Sequence, residues 1–230
     1  MDYHNSWKNF IKKSVYLNDM IKFVSDTPNI CPEKENVFRF FNCNLTKTKY
    51  IILGMDPYYS TFEKDGRILP VATGRAFEVM NIDKWTDRYR QVSLSTIFKS
   101  LCFYKFNINY NINELRQLEN KGEIKYINTH DWFDAMEDRG VIFLNSTLTS
   151  VVGKSGAHIS KWTNFINELI MFINENSDCS WLIWGNNALD RVKDIINSEK
   201  IIYSCHPASR TNNDFIINNC FKKAKGVDWF

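Results

Sequence analysis

The chain has 230 residues, 44% hydrophobic and 24% charged, and Lys+Arg 29 against Asp+Glu 26 gives a net charge of +3. That length suits one sizeable core, so a single domain over 1–230 is expected, and so mild a charge excludes any case for nucleic acid made on net charge alone. No apolar run approaches the ~20 residues of a membrane span, and MDYHNSWKNF at the start lacks the apolar stretch of a secretory signal. The six cysteines are widely spread with no C-x-x-C pair, which argues against a zinc ribbon or a secreted disulfide scaffold. Reduced thiols in an intracellular, cytoplasmic protein fit best.

Taken in chain order, Trp7 to Val24 reads as one helix packed on the outside of the fold. Tyr50–Leu53 is the first of four short apolar runs; Val141–Leu144, Trp181–Trp184 and Ile201–Tyr203 are the others. Each is too short for a helix and is bounded by polar, Gly or Pro residues, as a buried strand is. Ser93–Phe103 opens on a capping-type serine and puts Leu94, Ile97, Phe98 and Leu101 on one helical face. The stretch 105–128, rich in Asn and charge, reads as a surface excursion with a short helix at Asn113–Asn120. Ser160–Asn174 repeats the helical pattern with Trp162, Phe165, Ile166, Leu169, Ile170 and Ile173. Asn186–Asn197 does so with Leu189, Val192, Ile195 and Ile196. Strands alternating with helices indicate an α/β fold: a central four-stranded, mostly parallel sheet flanked by helices in three layers, α/β/α.

In such a sheet, ligands bind outside the carboxyl ends of the strands. Gly54-Met55-Asp56-Pro57-Tyr58-Tyr59 follows the first strand, and Asn145-Ser146-Thr147 the second. Gly185-Asn186-Asn187 follows the third, and Ser204-Cys205-His206-Pro207 the fourth. Asp56, Asn145 and His206 are therefore expected to converge. Each also has a plain alternative: an Asp-Pro turn, a strand-end asparagine capping a turn, and a His-Pro loop residue.

The ordered set GMDPYY (54–59), GRAFEV (74–79), VSLSTIFKSL (92–101), GVIFLNSTLTS (140–150), WLIWGNNA (181–188) and HPASR (206–210), with a closing VDW (227–229), resembles family 1 uracil-DNA glycosylases. The resemblance runs from about Tyr50 to the end. It implies an enzyme that flips uracil out of DNA and hydrolyses the N-glycosidic bond, leaving an abasic site. It implies no cofactor and no metal. The implied partner is uracil-containing DNA, single- or double-stranded, and the implied state is a monomer free of membrane. A proteinaceous inhibitor or a replication partner is also in view.

The resemblance assigns roles. Asp56 positions or activates water and stabilises the cationic sugar. His206, as a neutral imidazole, donates to the charge growing on the leaving uracil. Asn145 pairs with the base edge through its amide, and Phe77 stacks on the ring. Tyr58 abuts C5 and excludes the thymine methyl, and Met55 contributes its backbone N–H. Ser93, at a helix start, and Ser209 with Arg210 are the DNA-binding candidates. Arg210 stands where many relatives place a leucine wedge. Met55 and Tyr59 also depart from the family pattern, and the segments at 60–73 and before Asp131 are long. In these respects the chain resembles poxvirus-type members. Two alternatives remain: a DNA-binding replication accessory with little excision, and a metal-dependent hydrolase using Asp56 and His206.

Overall fold

The computed structural model describes residues 2–209 and 212–230. In chain order the elements are α1 (Lys8–Lys13), α2 (Leu17–Asp26), β1 (Ile30–Cys31), β2 (Tyr50–Gly54), β3 (Thr61–Lys64), β4 (Arg67–Pro70), α3 (Val92–Phe106), α4 (Ile112–Asn120), α5 (Thr129–Asp138), β5 (Val141–Asn145), β6 (Ser150–Val151), α6 (Ile159–Asn176), β7 (Ser180–Trp184), α7 (Asn186–Val192), β8 (Ile201–Ser204), α8 (Asn212–Ile217) and α9 (Cys220–Lys223). The central sheet has the order β5-β2-β7-β8, and every pair in it is parallel. The expected strands, topology and three layers are all present.

Why the runs in β2, β5 and β7 are apolar throughout is clear from their two faces. Ile51, Leu53, Ile142, Leu144, Trp181 and Ile183 enter one core, with α2 and α6. Tyr50, Ile52, Val141, Phe143, Leu182 and Trp184 enter a second core, with α3, α5 and α9. Alternate residues point to opposite faces, and in β2, β5 and β7 both faces are covered, so their runs are apolar; β8, at the sheet edge, is half-buried with Tyr203 exposed. The register aligns Gly54 with Asn145 and Trp184 with Ser204, which brings the strand ends level.

The helices correct several expectations. Trp7–Val24 is not one helix. It breaks at residues 14–16, where Ser14 turns extended, with φ −59 and ψ 126. Glu168 on α6 causes the break: it accepts from the Ser14 hydroxyl and from the Val15 N–H at 2.9 Å. As expected of packing on the outside, the segment buries one face, with Trp7, Phe10, Leu17, Met20 and Val24 in the first core. Neither Ser93 nor Ser160 caps its helix. α3 starts one residue earlier from an extended Gln91, and α6 follows His158. α7 ends at Val192, where the N–H groups of Ile195 and Ile196 both turn back to the Val192 carbonyl.

The β3–β4 hairpin and α5 were not anticipated. The hairpin is the long 60–73 segment, and its Asp65-Gly66 turn has φ 53 and 74. Two positive values at an Asp-Gly step form the tight turn that suits right-twisted strands.

Candidate active site

Backbone bonds first tie the ends of β2 and β5 together. Ser146 N–H donates to Gly54 O at 3.0 Å and Thr147 N–H to Met55 O at 2.9 Å. The Ser146 hydroxyl also donates to Met55 O at 2.9 Å. Gly54 is a glycine for a local reason: a Cβ there would stand 2.4 Å from Asn145 Oδ1 and 2.9 Å from Ala76 Cβ. Asn145 is 3% exposed, and its amide makes no hydrogen bond to any described residue. Its amide oxygen and nitrogen are not sealed from solvent, and Asn145 itself does not line the neighbouring cavity.

Beside this wall opens a cavity of about 320 Å³, lined by Gly54, Met55, Phe77, Trp184, Asn187 and His206 among others. The volume lies in the range of small-ligand sites. A larger hollow of about 450 Å³, between the α1–α2 junction and α6, is lined by Phe10, Glu168 and Phe172. It is remote from the strand ends and holds none of the expected groups.

Phe77 is half-buried and has φ 68, a region that side-chain-bearing residues rarely occupy. Its ring lies 4.9 Å from Trp184 and 6.2 Å from His206, centroid to centroid.

His206 is seated by Gly185, whose φ is 95 and where a Cβ would come within 2.9 Å of His206 Cβ. The Ala208 N–H donates to His206 Nδ1 at 3.1 Å. An amide can only donate, so Nδ1 is unprotonated and the neutral ring carries its proton on Nε2. Partial desolvation of the ring at the cavity wall pushes the imidazole pKa below its ordinary value, which favours the neutral form.

Asp56 follows Met55 but does not line the cavity. Its Oδ2 accepts three hydrogen bonds: from Gly156 N–H at 2.7 Å, Ser155 Oγ at 2.8 Å and Ser150 Oγ at 3.2 Å. These donors belong to a strap, 150–156, that pairs with β1 through β6 and reaches Tyr59 O from Gly153 N–H at 2.9 Å. The three donors were not foreseen from sequence. Serine and glycine carry no signal of their own; the TSVVGKSG composition announces only a turn. Oδ1 accepts none of these three bonds.

The remaining candidates are more scattered. Tyr58 also lies off the cavity lining; it is half-buried against the second core, and burial pushes its hydroxyl pKa up. Met55 is exposed, with its sulfur 3.8 Å from Asn187 Nδ2 across the cavity rim. Ser93 is buried in the first turn of α3. Ser209 N–H donates to His206 O at 2.8 Å, closing the loop after β8. Arg210 lies outside the described residues. Among the described residues no group of three or more His, Cys, Asp or Glu side chains is placed to hold a metal ion.

No family model matches the chain. It is nevertheless similar along almost all its length to curated uracil-DNA glycosylases. The one from Clostridium beijerinckii is 27% identical over 255 aligned positions, covering 98% of this chain and 95% of that protein. The one from equine herpesvirus 2 is 27% identical over 224 positions, covering 91% and 75%. Among solved structures, a mimivirus UNG variant in complex with UGI superposes with a TM-score of 0.66 at 25% identity, over 90% of this chain and 70% of that one. The UNG of Nitratifractor salsuginis superposes at 0.74 with 17% identity, over 97% and 90%, a likeness of fold. Near full-length similarity, the shared sheet and the motif residues gathered at its carboxyl edge agree: the chain is similar to uracil-DNA glycosylases over almost its whole length.

Proposed function

We propose that this chain, acting as one domain, removes uracil from DNA by hydrolysing the bond between the base and deoxyribose. The cavity takes the flipped base. Phe77 covers its face, and the partnerless Asn145 amide behind Gly54 accepts from uracil N3–H and donates to O4. Cytosine presents the opposite pattern and leaves that amide unsatisfied. As the glycosidic bond breaks, negative charge grows on the base and His206 Nε2–H donates to it. Asp56, with Oδ2 saturated, turns Oδ1 to the water and the cationic sugar. Tyr58 closes the side of the site against a 5-methyl group. Ser93, Ser209 and Arg210 are assigned to the DNA backbone, and the same groove is the place for an inhibitor protein such as the UGI bound to the mimivirus protein.

One observation carries this reading: the Ala208 N–H on His206 Nδ1, which fixes the only neutral tautomer able to donate from Nε2 into the cavity. The test is excision from oligonucleotides carrying uracil, thymine or cytosine at one position. Uracil alone is expected to leave an abasic site. In Tyr58→Ala thymine becomes a slow substrate, and unchanged rejection of thymine would show that another group forms that wall.

A further inference from the structure

The turn that presents Phe77 is held from behind by buried charge. It spans residues 71–80 and closes through the Ala72–Val79 bridge and Met80 N–H on Val71 O at 2.8 Å. Phe77 is flanked by Arg75 and Glu78, which are 6% and 2% exposed. Arg75 donates to Glu78 at 3.2 Å, forks onto both carboxylate oxygens of Glu137, and reaches Asp134. Glu78 also meets His130 Nδ1 at 3.1 Å and lies 3.9 Å from Arg39. His130, Asp134 and Glu137 have the i, i+4, i+7 spacing of one helical face, so α5 turns a polar stripe to this turn. Arg39 further donates to Thr73 O at 3.1 Å.

The buried Arg75–Glu78 pair is a poor device for stability, because desolvation offsets most of its attraction. What it supplies is geometry: a planar fork accepts few alternative placements. A phenylalanine at φ 68 leaves the left-handed region unless both flanks are held. We propose that Arg75 and Glu78 are positioning residues which, gripped by α5, hold Phe77 in its left-handed conformation and so set the aromatic wall of the base cavity. This rests on the base-cavity reading above.

Two measurements on the full chain separate the clamp from that reading. In the first, 4-fluorophenylalanine is placed at position 77 and its fluorine resonance is recorded without DNA. Arg75→Met is expected to move or broaden the line; an unchanged line overturns the proposal, whatever the activity. The second is a double-mutant cycle on uracil excision. Arg75→Met alone is expected to lower kcat/KM by about tenfold, mostly through KM, which matches the worth of one stacked base. In a Phe77→Ala background it is expected to add nothing. Equal losses in both backgrounds overturn the clamp. Normal excision by Phe77→Ala itself would instead overturn the base-cavity reading, leaving the fluorine line to decide the clamp. Should Arg75→Met fail to fold, Glu137→Gln, which keeps the shape and removes one charge, gives the same two readouts in smaller measure.

Discussion

Asp56 and His206 stand at the carboxyl ends of different strands and are held by opposite means. The carboxylate receives three donors on one oxygen, all from a strap that is itself paired into a second small sheet. The imidazole is exposed and receives one backbone amide on one nitrogen; its seat is the space left by a glycine. The carboxylate is thus fixed before any DNA arrives, and its orientation costs nothing at the moment of reaction. The imidazole is fixed in its tautomer more than in its place. On the function proposed here, one group faces the sugar and the other meets a base that enters from outside.

The strongest attempt to break this contrast removes the carboxylate charge. Asp56→Asn is expected to cut single-turnover excision by about 10²–10⁴-fold with DNA affinity retained. Equal loss in a DNA-binding titration would make the residue structural. Gly185→Ala tests the other side. A Cβ at φ 95 strains the backbone and presses His206, and turnover is expected to fall about 10–100-fold without loss of DNA binding. Unchanged turnover would mean that the imidazole seat has slack. Ser155→Ala leaves two donors on Asp56, so a loss below about tenfold in kcat is expected. A loss as large as that of Asp56→Asn would show that the strap has no redundancy.

The smallest effect concerns the charged cluster behind the Phe77 turn. The Glu78 hydrogen bond, against partial desolvation, raises the pKa of His130, with Asp83 also near and Arg75 and Arg39 on the far side of Glu78. A raised folded-state pKa means the histidine stabilises the fold fully below its unfolded value of about 6.5 and loses that contribution as pH rises through the folded value. Relative to His130→Gln, the wild-type chain should therefore lose up to about 4 °C in Tm on going from slightly acid to slightly alkaline buffer. A parallel pH dependence in both proteins would remove His130 from the cluster's charge balance.

How much was legible in the chain follows from where each cause lies. The strands could be read because their central runs are apolar, for burial on both faces in β2, β5 and β7 and for partial burial at the edge strand β8. The strand ends then pointed to Asp56, Asn145 and His206, and the ordered motifs to the family. The Asp65-Gly66 step announced a hairpin, and the His130, Asp134, Glu137 spacing announced a helix; both were readable and both were passed over. The break after Lys13 was not readable, because Glu168, more than 150 residues away, supplies the bonds that open the helix.

By itself the sequence determined the α/β alternation, the strand-end chemistry and the family, since each rests on patterns within a few residues or on motif order. Tertiary structure alone decided that Oδ2 of Asp56 is claimed by residues 150, 155 and 156, that Gly185 exists for His206, and that Phe77 is held in a left-handed turn by ions beneath it. Hydrogen bonds and excluded volume between distant segments have no periodicity along the chain. They come into being only when the sheet brings its ends level.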